Sequence, residues 1–228
     1  VQPMKINTEE NFLVLTQDNK IYKVDSQNIK AEPQYLGTTV QKGQLIKSKL
    51  GLVILPDDRS KLMTRLFQDG ETQALSLEYN DDNVSNRAKV VDYYFAWTWN
   101  ARIEKNKVRF FCDKRQKPTQ FVDVALNAEA IGIVYPNGYQ PVNAEAFLLT
   151  QNGVVTISCL NASQAEIKPA AIDLARDIVR VHKVRNQSLA LTQTGQLLDV
   201  NTNTVIDLNS IGAIKDITTY SRAVFFDQ

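Results

Sequence analysis

The side chains best suited to grip a charged partner lie in one short run. Lys105, Lys107, Arg109, Lys114, Arg115 and Lys117 surround Phe110 and Phe111 and follow Trp97 and Trp99. On a strand, that spacing turns some cations outward as a stripe able to meet phosphate or an acidic protein surface, with the indoles as a stacking platform for bases or sugars. Glu104 and Asp113 dilute the charge; Tyr93, Phe95, Trp97 and Trp99 fall on one parity of a strand, with Tyr94 on the other face, and packing between neighbouring sheets calls for the same alternation. Trp97, Trp99, Lys105, Lys107, Arg109, Lys114, Arg115 and Lys117 are thus the candidate partner-binding set, with core aromatics and a solvated loop as the alternative.

The remaining reactive residues do not assemble into a catalytic pattern. His182 is the single histidine and lies in an alternating apolar stretch, where a surface or satisfied core residue is the expectation. One histidine and two separated cysteines give no zinc-ligand spacing, so no metal is expected. Cys112 and Cys159 sit in strand-like surroundings and read as buried free thiols, a disulfide being the alternative. Asp57-Asp58 and Asp81-Asp82 sit in turn-like polar stretches, and the second lacks the glycine and closing glutamate of a calcium loop. Phosphate loops, nucleophile elbows and dinucleotide glycine fingerprints are absent, and no cofactor is expected. Asn83, Asn161 and Asn186 satisfy the glycosylation triplet, which matters only in a secreted chain.

Whatever positions these residues is built from strands. FLVLTQDNKIYKVD from Phe12, FLLTQNGVVTIS from Phe147 and SLALTQTGQLLDV from Ser188 each carry an apolar strand, the triplet Leu-Thr-Gln, a turn dipeptide and a returning strand. Further apolar runs at Leu50 to Leu55 and Val90 to Trp97 space the units about 40 residues apart. Another unit is expected at FVDVALNAEAIGIVYPNGYQPV, reversing at Pro136-Asn137-Gly138. It crowds the copy at Phe147, either because Ile131 to Tyr135 is an outer strand of an enlarged unit or because a reduced unit is squeezed in. Residues 164–180 are the sole stretch with reasonable helical composition, either a short helix or an irregular connection leading into a strand from Ile178 to Val184. Near the end, Ala223 to Phe226 repeats the front strand of a hairpin without its return, which would close a ring on the N-terminal unit or mark a cut chain.

Repeating antiparallel four-stranded units that bury their faces on one another predict an all-β protein, a β-propeller of about five to seven blades. Residues 1–228 form one such domain, open to completion by residues outside this chain; its initial Val1 suggests a processed or excised product. The segment IVRVHKVRNQSLALTQTGQLLDV resembles one repeat of the regulator-of-chromosome-condensation propellers. Val179 and Val181 match the first strand, Ser188 to Thr192 the second, Gly195 the turn and Leu197 to Val200 the return. The family's glycine pairs are replaced by Lys183, Val184 and Arg185, and its histidine before Ser-Leu by Gln187. The resemblance implies a propeller and, as one version of its role, regulation of a small GTPase.

With 26 basic and 25 acidic side chains there is no global field to draw in nucleic acid or an anionic membrane, and no apolar run is long enough for a spanning helix. The expected function is non-enzymatic protein binding through loops on one face of the ring, by fold. The alternatives are nucleic-acid or polyanion binding through Trp97 to Lys117, and a propeller enzyme or carbohydrate binder with an axial pocket. The sequence leaves oligomeric state and compartment open, with the cytoplasm as default.

Overall fold

The computed structural model describes residues 10–39, 41–48, 51–66, 72–74, 84–95, 99–112, 120–135, 145–172, 174–175, 177–184 and 186–221. They form five four-stranded antiparallel sheets. Blade 1 combines β20 (Ile214–Ser221), innermost, with β1 (Glu10–Thr16), β2 (Lys20–Val24) and β3 (Gln34–Thr38). Blade 2 runs β4 (Gly43–Ser48), β5 (Gly51–Pro56), β6 (Thr64–Leu66) and β7 (Thr72–Ala74). Blade 3 runs β8 (Val90–Phe95), β9 (Asn100–Glu104), β10 (Lys107–Phe111) and β11 (Val122–Ala125). Blade 4 runs β12 (Ala130–Val134), β13 (Glu145–Thr150), β14 (Gly153–Asn161) and β15 (Gln164–Pro169). Blade 5 runs β16 (Ile178–Val184), β17 (Gln187–Thr192), β18 (Leu197–Asp199) and β19 (Thr204–Ile206).

The innermost strands pack in cyclic order, β20 on β4, β4 on β8, β8 on β12, β12 on β16 and β16 back on β20. The ring is therefore shut, with five blades. Its closure is the antiparallel pairing of the last strand with the first, Phe12 opposite Thr219 and Val14 opposite Ile217. The closing strand is Ile214–Ser221; the expected Ala223 to Phe226 lies outside the described residues.

Each sheet has a neighbour on both faces, so the second strands of blades 1, 2, 4 and 5 are mainly apolar on both sides instead of alternating with polar residues, whereas β9 of blade 3 buries the ion pair of Arg102 with Glu104 at 2.9 Å. Phe12, Leu13, Val14 and Leu15 are all buried: Phe12 and Val14 toward blade 5, Leu13 and Leu15 toward blade 2. The core is divided accordingly into five clusters, one in each wedge between adjacent blades.

The repeated triplet occupies one structural place. Leu15, Leu149 and Leu191 are the penultimate residues of the second strands of blades 1, 4 and 5 and are buried in the wedges. The next residue closes the hairpin: Thr16 Oγ1 donates to the Lys20 carbonyl at 3.1 Å, Thr150 Oγ1 donates to the Gly153 carbonyl at 2.8 Å, and Thr192 Oγ1 accepts the Gln196 N–H at 3.1 Å. The backbone N–H of Gln17, Gln151 and Gln193 then bonds the carbonyl just before the innermost strand, that of Ala213, Glu129 and Asp177, at 2.9, 3.0 and 2.8 Å. Asp57 does the same with Lys42 in blade 2, at 3.0 Å. These hairpins and the starts of the innermost strands share one end of the ring, here called the upper face.

Several expectations are corrected. Val122–Ala125 and Ala130–Val134 do not form one unit: the first is the outer strand of blade 3 and the second the innermost strand of blade 4, paired with Glu145–Thr150. Residues 136–144, with the expected reversal, lie outside the described residues. Of the two forms expected for 164–180, the irregular connection leading into Ile178–Val184 is found, preceded by the edge strand Gln164–Pro169; no helix forms among its described residues. Cys112 and Cys159 are not free thiols but a disulfide, with Cα atoms 5.5 Å apart, joining blade 3 to blade 4. Cys112 follows the third strand of blade 3 and Cys159 lies in the third strand of blade 4, so the ring brings the two together across a wedge. The aromatic parity also differs. Tyr93 and Phe95 face blade 2, while the strand ends at Phe95 and Trp99 returns on the other side with Tyr94, against blade 4.

Candidate functional site

Propellers offer two places for chemistry, the axis and the loops at either end. The axis is governed by a local irregularity shared by the inner strands. In β8, β12, β16 and β20 the pairing with the next strand shifts by one residue just before the third position, between Val90 and Asp92, Ala130 and Gly132, Ile178 and Arg180, and Ile214 and Asp216. A bulge of this kind re-aims the following side chain. In ring order from blade 1 the equivalent position holds Asp216, Gln44, Asp92, Gly132 and Arg180.

Four of them, Asp216, Asp92, Gly132 and Arg180, interlock. The guanidinium of Arg180 lies 3.5 Å from a carboxylate oxygen of Asp92, through Nη2, and 3.5 Å from one of Asp216, through Nε. Asp216 Oδ2 accepts the Leu45 N–H of blade 2 at 2.6 Å and its Oδ1 the Ile217 N–H at 2.9 Å. Asp92 repeats the pattern with the Ile133 N–H of blade 4 at 2.8 Å and the Tyr93 N–H at 2.7 Å. Each aspartate thus fixes its own strand and the next blade. Gly132 leaves the room that Arg180 fills: a Cβ there would lie 1.9 Å from Nη1.

The electrostatics follow from two buried acids sharing one buried base. Burial raises the pKa of Asp92, opposed by Arg180 and the two N–H bonds, and pushes Asp216 up to about 6. Burial works against the charge of Arg180, yet Asp92 and Asp216 together hold its pKa above the ordinary value. Arg59 stands at the upper rim, donating to the carbonyls of Val90 at 3.1 Å and of Pro56, and burial lowers its pKa. The arrangement is a plug: its acids and base satisfy each other and the backbone.

The candidate partner-binding residues are distributed differently. Trp97, Lys114, Arg115 and Lys117 lie outside the described residues. Trp99 is 2% exposed and packs against Tyr94 and Phe110 at ring distances of 4.8 and 5.7 Å. Lys105, Lys107 and Arg109 are together on blade 3, but acids match them. Arg109 makes a two-pronged contact with Asp123, both bonds 2.7 Å, and lies 3.5 Å over the ring of Phe121. Lys107 reaches Asp123 at 2.9 Å and Glu104 at 3.7 Å, and Lys105 reaches Glu129 at 3.6 Å. The Arg109 hydrogen bonds hold Asp123 down to about 2. His182 is buried, with its ring 4.9 Å from that of Tyr135. Among the described residues no cluster of histidine, cysteine and acidic side chains could hold a metal ion, and no helix is long and apolar enough to cross a membrane.

The axial residues Asp92, Arg180 and Asp216 were not singled out from sequence. The available signal is a charge at the third position of three innermost strands, VVDYYF, IVRVHKV and IKDITTYS, visible once the blades are aligned; Lys183 and Lys215 in two of them obscure it.

No protein-family model matches the chain, and no curated protein matches it. Solved structures do. A chain from the crystal structure of a nidogen/laminin complex superposes with a TM-score of 0.54 at 10% identity, over 92% of this chain and 98% of that one. The N-terminal domain of Nup159 aligns at a TM-score of 0.41 and 13% identity, over 86% of this chain and 59% of that one. Virginiamycin B lyase from Staphylococcus aureus aligns at 0.39 and 11%, over 85% and 67%. Identities this low speak to fold alone. Of the expected resemblance the propeller holds, without a match to the regulator-of-chromosome-condensation family.

Proposed function

We propose that this chain is a non-enzymatic interaction propeller that docks a protein partner on its upper face. The observation that carries the reading is the filled axis. Asp92, Arg180 and Asp216 occupy the place where a propeller enzyme or sugar binder would converge its polar groups on a ligand, and they are spent on one another and on the backbone. Recognition then falls to the loops. On the upper face Gln17, Gln151 and Gln193 are exposed, while their backbone N–H groups do the structural work; Gln151 Nε2 donates to Glu129 at 3.4 Å, and the side chains of Gln17 and Gln193 are the ones offered to a partner. A chain of like fold and length occurs in a nidogen/laminin complex, which supplies a precedent of architecture. A small GTPase, implied by the resemblance of residues 178–200, is one partner to test.

The test is affinity capture with the purified chain, in parallel with Gln17→Arg/Gln193→Arg, which leaves those backbone bonds intact. The expected result is saturable binding of a folded protein, insensitive to nuclease and lost in the variant. Capture of nucleic acid with steep salt dependence would support the polyanion alternative through Lys105, Lys107 and Arg109 instead.

A further inference from the structure

We infer that this chain works outside the reducing cytosol, in a compartment that keeps Cys112 and Cys159 oxidised as a covalent staple across the outer rim of the wedge between blades 3 and 4. The inference stands apart from the nature of the partner. Both cysteines of the chain are used in one bond between different blades, across a sequence separation of 47. Blades diverge from the axis, so neighbouring sheets are held least firmly at their outer strands. The staple joins the third strands, one in from those edges, beside the contact of β11 with β15 and among the partly buried side chains of Val122, Val124, Ala165 and Ile167. Both cysteines are only partly buried. A bond of this kind is open to attack by cytosolic thiols and persists where the surroundings are oxidising.

Formation of the bond is balanced by exchange with a disulfide of an oxidising catalyst. The two cysteine thiols give up two protons and two electrons, the new S–S bond forms, and the catalyst's disulfide is reduced to two thiols. In the cytosol that exchange runs the other way.

The test uses the chain from the cells that make it, trapped with acid at lysis and treated with iodoacetamide before and after reduction, with the intact mass as readout. No adducts before reduction and two after it are expected. Two adducts on most chains before reduction would overturn the compartment. The stapling role is read separately by amide hydrogen exchange on the purified chain. Reduction should speed exchange in β11 and β15 and leave β1 and β20 unchanged, and identical exchange in the two redox states would overturn it.

Discussion

Gly132 and Arg180 face each other from neighbouring innermost strands, so closely that a methyl group on the first would lie 1.9 Å from Nη1 of the second and 3.0 Å from Asp92 Oδ2. The end of an arginine side chain can usually swing away, but this one is held by two carboxylates inside a closed ring. Gly132→Ala should therefore lower stability by about 1–3 kcal/mol through overpacking. Arg180→Met should cost more, about 3–5 kcal/mol, because it leaves Asp92 and Asp216 buried without their cation. Urea unfolding of both variants checks the order, and an Arg180→Met chain as stable as the parent would refute the plug.

Asp216 gives that plug a pH dependence of unusual sign. Its pKa is about 6 in the folded chain against an ordinary 3.8, so between these values the folded state binds the proton and the unfolded state does not. Stability should rise as the pH falls from 7 toward 4, by up to about 3 kcal/mol for a shift of this size. Below that, Asp123, held at about 2 by Arg109, loses its ion pair and stability falls again. Asp216→Asn should shrink the gain between pH 7 and 5 to the part contributed by Asp92, whose pKa moves in the same direction. Thermal unfolding across this range is the measurement; an unchanged gain in Asp216→Asn would assign it elsewhere.

The sequence carried the architecture because hairpins announce themselves locally, in apolar strands, the Leu-Thr-Gln triplet and turns such as Asn19 and Gly195, both at positive φ. Blade boundaries were harder, since Ala125 and Ala130 end and begin strands of different blades across a link as short as a hairpin loop. Trp99 misled for a similar reason: parity counted through Trp97 assumes one continuous strand, and β8 stops at Phe95. The axial charges, and the choice of a disulfide over free thiols at Cys112 and Cys159, depend on residues brought together only by the stacking of different blades, which no local pattern in the sequence expresses.

The threonine of the triplet should matter where its glutamine does not. Thr192 is 2% exposed and its hydroxyl receives the Gln196 N–H, so Thr192→Val keeps the volume, leaves that donor unpaired and should cost about 1 kcal/mol. Gln193→Ala retains the backbone bond to Asp177 and should be neutral in the same unfolding assay. Equal costs for the two would mean that the repeat is kept by something other than hairpin closure.

Ring closure rests on one strand, and its removal should be severe in a defined way. A chain ending at residue 213 lacks β20, which strips β1 of a partner, uncovers Phe12 and Val14, and takes Asp216 from both Leu45 and Arg180. An open, apolar edge strand is a site for pairing with other chains, so the truncated protein should aggregate. A synthetic peptide spanning 214–221 supplies the missing hydrogen bonds and the axial carboxylate, and should restore a soluble monomer when added during refolding. The same peptide with Asp216→Ala should restore it poorly, because pairing with β1 is regained but the Leu45 N–H and Arg180 are not satisfied. Size-exclusion chromatography of the refolded mixtures separates the cases: rescue by both peptides alike would show that backbone pairing closes the ring and that the axial charge is incidental to it.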